Sequence, residues 1–546
     1  MNLLTYFHTV RYLKLSQVYY RIRGKFVTPR VSSINSRASS PNARWVSHEL
    51  YSQKLYEDNV VRFLGESGVI DLPGDWNMPS KAKLWLYNLH YFDDLQSLGR
   101  DSRVDLQMNF VNRWIEENPA PIGNGWEPYP ASLRIVNWIK FFLSGASPSP
   151  SILDSLAQQA DYLFQTLEYH LLGNHLFANA KALIFSGLYC DCVEARSWYL
   201  KGLEIYRKEL REQVLSDGGN FELSPMYHTI MLVDILDLIN VFQAYEYTVD
   251  PGVAVESRAV AHKMLRWLRE MSHPDEAFSF FNDAAFGIAP DNSVVFGYAR
   301  KLGITQVLNL PDAGKIDVID LVSSGYLVAR TNEWYLVADL APIGPDYMPG
   351  HAHADSLSFE LSVRGRRVFV NSGISEYGLG EERTRQRKTF SHNTVSVNEM
   401  DSSHVWSGFR VAKRARITNR SIDQFGSAEV VVKGAHDGFK RKRGMDCLHH
   451  REWHLAPKKL IIVDRLEGGY SHAAGYLHIH PDMEVELKRG VATIKGVDFC
   501  VSLSVSGAEL ALEGAMWHPY FGSSVDCVKL RYDFLEAQVQ TQIILN

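Results

Sequence analysis

The stretch YLVARTNEWYLVADLAPIGPDYMPGHAHADSLSFELSVRGRRVFV, residues 326–370, decides the fold. It contains the short runs YLVAR, WYLVADLA, LSFELSV and RVFV, separated by turn-forming residues. β-Branched and aromatic residues dominate these runs and alternate in part, so they read as strands. The same pattern continues in NTVSVN, AEVVVKG, LIIVDRL and YLHIH, with no helical segment between them. A chain of strands without intervening helices excludes a βαβ rhythm and predicts antiparallel sheets. Upstream, from about residue 83 to 310, the period is helical. ASLRIVNWIKFFLSG, LFANAKALIFSGLYC, MYHTIMLVDILDLINVFQAY and VAHKMLRWLREM are its clearest segments. The expected architecture is an α+β multidomain chain. An N-terminal extension and linker (1–82) leads to an all-helical domain (83–317) and an antiparallel β-sandwich (318–546).

Composition agrees with a soluble globular chain. Of 546 residues, 46% are hydrophobic and 22% charged, and the net charge is −5. That charge excludes a general nucleic-acid footprint, and no apolar run has the length of a membrane span. Aromatics reach 12%, which would suit a carbohydrate cleft. Five cysteines at 190, 192, 447, 500 and 527 form no recognisable disulfide or zinc pattern and read as buried thiols. The N-terminus lacks the form of a signal peptide, so a cytoplasmic location is expected. Its apolar residues recur at helical spacing, which predicts an amphipathic helix docked on the body. A helix lying on a membrane surface is the alternative. Residues 29–45, polar and turn-rich, read as a linker.

Three helix starts carry polar residues. Pro130 opens one helix, with Arg134 in its early turns and Trp126 and Tyr129 just before it. Asn174 can cap the next, followed by His175. Ser224-Pro225 caps the third, with Tyr227 and His228 in its first turn. The intervals fit helical hairpins of an array or toroid. If alternate helices run parallel, these starts share one rim, where free N–H groups favour an anion such as an anionic sugar. Local caps and buried tyrosines are the plainer explanation of each residue taken singly.

The strongest local signal is GHAHADSLSFEL, 350–361. Strand period places His351, His353 and Asp355 on one face, suited to a metal or to proton transfer. Asn282 and Asp283, in FNDAAFG, are candidates for the cleft rim, with helix capping an equally good reading.

These residues occur within YNLHYFDDL, WEPYPASLRIVNW, GNHLFANAKAL, GGNFELSPMYH, FNDAAFG, GHAHADSLSFEL, VFVNSGISEY and SHNTVSVNEMD, in that order. Together they resemble the heparinase II/III-like polysaccharide lyases, from about residue 85 onward. The resemblance implies an incomplete (α/α) toroid followed by antiparallel β-sheets, and β-elimination on a uronate-containing glycan. It implies that Asn174 and His175 face the uronate carboxylate, with proton transfer a further role open to His175. It implies that Tyr227 is the catalytic acid, with the role of base also open to it, and that His351 is the second proton-transfer residue. Arg134, Trp126, Tyr129, His228 and Asn282 become substrate-binding candidates. The chemistry needs no cofactor.

Many relatives hold a structural zinc, at positions corresponding here to His353, Asn371 and His392. Asn371 departs from the expected acidic ligand, and a neutral amide is a poor zinc ligand. The missing export signal is a second departure. It suggests a role in making or trimming a bacterial exopolysaccharide or capsule. A catalytically weak glycan-binding protein on the same fold is the alternative. A metal-dependent hydrolase with an H-x-H motif would need βα units after it, and only strands follow.

Overall fold

The structure is a computed structural model that describes residues 3–305, 315–440 and 446–546. The stretch FKRKRG, 439–444, which reads from its sequence as a charged turn, falls mostly outside them. Six helices form three successive hairpins: Pro128–Leu143 with Pro150–Gln165, Gly173–Tyr189 with Ala195–Gln213, and Pro225–Ala244 with Pro251–Glu270. The first helix of each hairpin is apolar nearly all round and mostly buried, while the second keeps a polar outer face. This is the arrangement of an incomplete (α/α) toroid, with an inner and an outer layer. Pro225–Ala244 is the one described helix long and apolar enough to span a bilayer, and it lies buried inside the toroid.

Two start positions move. The first inner helix begins at Pro128, and the second at Gly173 with Leu172 at its N-cap. Asn174 therefore stands in the first turn and is not the cap. Ser224 does cap the third, its Oγ accepting from the Tyr227 N–H at 3.2 Å.

The polar stretch 29–45, expected to be a linker, is laid along the toroid instead. Its backbone hydrogen-bonds to Gln165 and Asp154, and Arg37–Ala38 pairs with Cys190–Asp191. Ile34 and Trp45 enter the helical core. Two apolar anchors spaced through a polar segment are enough to hold it down. All five cysteines are free thiols.

Beyond residue 316 two antiparallel sheets face each other. The first runs as a meander through Asp317–Leu321, Tyr326–Arg330, Trp334–Asp339, Phe359–Val363 and Arg366–Phe369, and continues through Ala473–Ile479 and Val525–Phe534 to Ala508–Trp517. The second has eight strands, with Asp446–Ala456, Lys459–Gly469 and Gln538–Leu545 near its middle. Leu327, Leu336, Phe359 and Leu361 pack against Val432, Trp453 and Ile462 of the second sheet. Tyr326, Val328, Tyr335 and Val337 pack the other way, against Leu223, Trp267, Met271 and Phe281 of the helical half. The first sheet is thus the middle of three layers. That explains why its strands alternate only in part, since residues pointing either way are buried.

Adjacent residues on opposite faces should therefore both matter. Leu336→Ala is expected to cost about 2–5 kcal/mol and Val337→Ala roughly 2 kcal/mol, measured by denaturant unfolding. A sheet with one wet face would show only one of these losses.

Candidate active site

The cleft forms where the rim of the toroid meets loops of the first sheet. Asn174 and His175 sit on the first turn of the Gly173–Tyr189 helix, and Tyr227 on the first turn of Pro225–Ala244. Three backbone kinks set these turns. Leu172, Leu223 and Asn282 have φ of 67°, 62° and 58°. Left-handed backbone is unfavourable for a leucine, and its concentration beside polar side chains marks a functional site.

His351 arrives from the loop before the Phe359–Val363 strand. The segment from His351 to Leu357 is not itself a strand, so period-two spacing does not place its side chains. The two histidines share a target all the same. His351 Nδ1 lies 2.8 Å from one oxygen of Asp283, and His353 Nε2 lies 2.7 Å from the other. Arg383 closes a two-point contact on the same carboxylate, with Nη2 at 2.7 Å from Oδ2. Burial works against ionisation of Asp283, but the guanidinium and both imidazoles hold its carboxyl well below the usual range. A carboxylate can only accept, so His351 carries its proton on Nδ1 and turns Nε2 towards Glu222.

The His351 ring lies against that of Tyr227, with centroids 3.9 Å apart. The Tyr227 hydroxyl is 2.9 Å from that of Tyr377. Burial, then Tyr377, Asp283 and Glu222, push the Tyr227 phenol well above its ordinary value, so it enters any reaction protonated. On the other side, His175 Nδ1 is 3.0 Å from Glu168 Oε1. Burial opposes the imidazolium, yet the Glu168 carboxylate more than offsets it and raises His175. Tyr129 hydrogen-bonds Asn174, and its ring lies 4.5 Å from that of His175.

Glu222 stands between the two groups. Its Oε2 is 3.5 Å from His351 Nε2, and Asn174 and His175 lie near. Neither carboxyl oxygen has a hydrogen-bond partner, and burial raises its pKa. Asn174, His175, Tyr227, His351 and Tyr129 are thus brought together.

Four other candidates turn away from the cleft. Arg134 is fully buried, bonded to Gln159 and the Gly125 carbonyl, with its guanidinium 3.7 Å above the Trp114 ring. Trp126 is buried beside Trp114 and donates to the Asn118 carbonyl. His228 is stacked on Trp267 and bonded to the Met264 carbonyl, and burial lowers its pKa to about 3. Asn282 spends its amide on the Leu223 carbonyl and the His353 N–H. Side chains near a helix start can point into the core as readily as out of it, and sequence position does not distinguish the two.

Glu168, Glu222, Tyr377 and Arg383 were not singled out in the sequence. One signal was available for Glu222: it is the only acid between Asp217 and Asp234, in a run without Lys or Arg. Asp283 likewise is the only charge between Glu276 and Asp291. A lone charge in an apolar run must find a buried partner or a ligand.

The proposed zinc set does not fit a metal. His353 Nδ1 and His392 Nε2 meet directly at 3.2 Å. The Asn371 oxygen faces the other nitrogen of His392, also at 3.2 Å, and its amide donates to the Phe280 carbonyl. That leaves two nitrogens on a common point, where a structural zinc takes four ligands. Among the described residues no group of three or more His, Cys, Asp or Glu side chains is arranged to hold a metal.

Comparison with known proteins fits this arrangement. The model for the heparinase II/III N-terminus matches residues 13–295, and that for the heparinase II/III-like C-terminal region matches 314–544. The chain belongs to the heparinase II/III family. A heparin-sulfate lyase of Bacteroides stercoris is 28% identical over 433 residues, 70% of this chain and 63% of that protein. A heparin-sulfate lyase of Bacteroides thetaiotaomicron is 22% identical, over 84% of this chain and 71% of its own length. The chain thus spans less than two thirds of the Bacteroides stercoris protein. Among solved structures, a heparinase III superposes with a TM-score of 0.69 at 17% identity, over 97% of this chain and 88% of its own. At that identity the likeness concerns the fold, a toroid followed by a β-sandwich.

For this heparinase II/III member, treatment with EDTA or 1,10-phenanthroline is expected to leave the thermal unfolding midpoint unchanged. Stoichiometric zinc in the purified protein, with a large drop in midpoint on chelation, would contradict the hydrogen-bonded arrangement.

Proposed function

We propose that the protein is a polysaccharide lyase that cleaves a uronate-containing glycan by β-elimination. The observation that carries this reading is the convergence of Asn174, His175, Tyr227 and His351 around one cleft. His175, raised by Glu168, presents a cation to the uronate carboxylate, and Asn174 adds a polar side chain beside it. Draining charge into that carboxylate acidifies the C5 proton. His351 Nε2, oriented by Asp283, accepts the proton. The C5 electron pair forms the C4–C5 double bond, the C4–O4 bond breaks, and O4 takes the Tyr227 phenol proton. After product leaves, the Tyr377 hydroxyl, 2.9 Å away, returns a proton to Tyr227, and His351 gives its own up to solvent.

A glycan with carboxylates and little sulfate, such as a bacterial exopolysaccharide or capsule, suits the electrostatics best. Arg383 is engaged by Asp283 and Arg134 is buried in the toroid, while Glu168 and Glu222 bring carboxyl groups to the cleft. A densely sulfated chain would require several cations facing it.

The test is the ultraviolet absorbance of unsaturated uronate ends, with a panel of uronate glycans including bacterial surface polysaccharides. Wild type should give a rise, and Tyr227→Phe and His351→Ala should lower the rate by about 10²–10⁴-fold. Tight binding without any rise, unaffected by Tyr227→Phe, would identify a glycan-binding protein instead.

The pH profile tests the role of His175. A raised pKa keeps the imidazolium present to higher pH, so activity falls as pH climbs through it. Glu168→Gln preserves the shape but removes the charge, and should move the alkaline fall in kcat/KM to lower pH. An unmoved alkaline limb would detach His175 from the carboxylate.

A further inference from the structure

The two N-terminal helices are docked the wrong way round for a soluble protein. In Leu15–Arg23 the face against the body is polar and aromatic: Gln17 is buried beside the Tyr347 carbonyl, and the Tyr20 ring stacks on Tyr169 at 4.6 Å. Just before it, Lys14 pairs with Glu212 and lies 3.7 Å above the Tyr347 ring. The apolar stripe at helical spacing, Leu15, Tyr19, Ile22 and then Phe26, points outward with 89%, 60%, 55% and 82% exposure. The preceding helix, Leu3–Val10, buries no residue. It is held through Tyr6 and Thr9 on Trp406, with Leu3 and Phe7 outside. Sequence periodicity predicted a docked amphipathic helix, and the docking is real, but the apolar face is the one left over.

This exposure is concentrated. Residues 3–31 hold 12 of the 30 large apolar side chains exposed among the described residues. A contiguous patch of that kind marks an interaction surface. Its charge identifies the partner. Residues 1–48 contain eight Lys or Arg and no Asp or Glu, in a chain whose remainder has 49 basic against 62 acidic residues. Arg11, Arg21, Arg23, Lys25 and Arg30 are exposed beside the apolar stripe. Aliphatic and aromatic side chains flanked by cations, on short helices lying along a surface, suit the boundary between headgroups and acyl chains of an anionic bilayer. A soluble anionic glycan would use the cations but gives Leu15, Ile22 and Phe26 nothing to enter.

We propose that residues 3–30 form a docking surface for an anionic lipid membrane, with the apolar stripe inserted and the arginines at the headgroups. The surface sits beside the cleft. Tyr347, which holds Lys14 and Gln17, shares a loop with Met348, and Met348 packs against Gly173 next to Asn174 and His175. Membrane binding would therefore bring the mouth of the cleft close to the lipid surface.

Flotation of the full chain with vesicles tests this without any glycan. Binding to phosphatidylcholine–phosphatidylglycerol vesicles should exceed binding to phosphatidylcholine alone by roughly tenfold or more. The triple change Leu15→Gln, Ile22→Gln and Phe26→Gln should reduce binding by a similar factor. Its unfolding midpoint should not move, because those side chains are exposed. Ile22→Trp should show a blue-shifted emission on anionic vesicles only. The proposal is overturned by failure to float with anionic vesicles, or by wild-type flotation of the triple variant. Retention by a soluble anionic glycan through Arg21 and Arg23, with no vesicle binding, would overturn it too.

Discussion

The carboxylate of Asp283 is the constraint on which the site depends. It stands on a segment that follows the last hairpin of the toroid, yet its partners come from the other half of the chain. Arg383, His351 and His353 all converge on it, and its own backbone N–H donates to the His351 carbonyl at 3.0 Å. Its carbonyl accepts from the Ser224 hydroxyl, the N-cap of the helix that carries Tyr227. One residue therefore positions both Tyr227 and His351. A buried pair of this kind contributes little net stability compared with apolar packing, but leaving Arg383 without its anion would cost about 3–5 kcal/mol. Its value lies in orientation: both histidines are locked in tautomer and direction before a substrate arrives.

The electrostatics follow from the same arrangement. Positive charge is kept below the surface of the cleft and paired, while two glutamates shape what the cleft presents. Glu168 lies 3.0 Å from His175 and raises that imidazole against its burial. Glu222, buried with no hydrogen-bond partner, is pushed towards its neutral form.

Much of this was legible beforehand because the relevant signals are local. Ser224-Pro225 marks a helix start by its chemistry, and it holds. The strands of 326–370 declare themselves by composition, and the helical hairpins by their spacing. Asn174, His175, Tyr227 and His351 were readable through their motifs. What failed were inferences about direction. Arg134, Trp126 and His228 stand near helix starts as their neighbours do, but the toroid interior claims their side chains. His351 and His353 reach one carboxylate from a loop, so the spacing that drew attention to them was not the cause of their convergence. Glu168 meets His175 across a turn and Arg383 meets Asp283 across the whole interface, and neither contact leaves a trace in sequence spacing. The N-terminal helices show the same limit: periodicity gives the existence of an apolar face, while tertiary contacts decide which face is covered.

The middle position of the first sheet has a consequence for how such a protein can be inherited. Tyr326, Val328, Tyr335 and Val337 are covered by Trp267, Met271 and Phe281, so neither half has a finished surface without the other. A gene fragment encoding only the helices would expose an apolar wall, and one encoding only the strands would expose its counterpart. Unlike modules joined by a tether, these halves cannot be shuffled, fused to new partners or lost singly without a matching change across the seam. Evolution of new specificity is thereby confined to the rim and the loops, where Asn174, Tyr129 and their neighbours can change while the seam stays as it is.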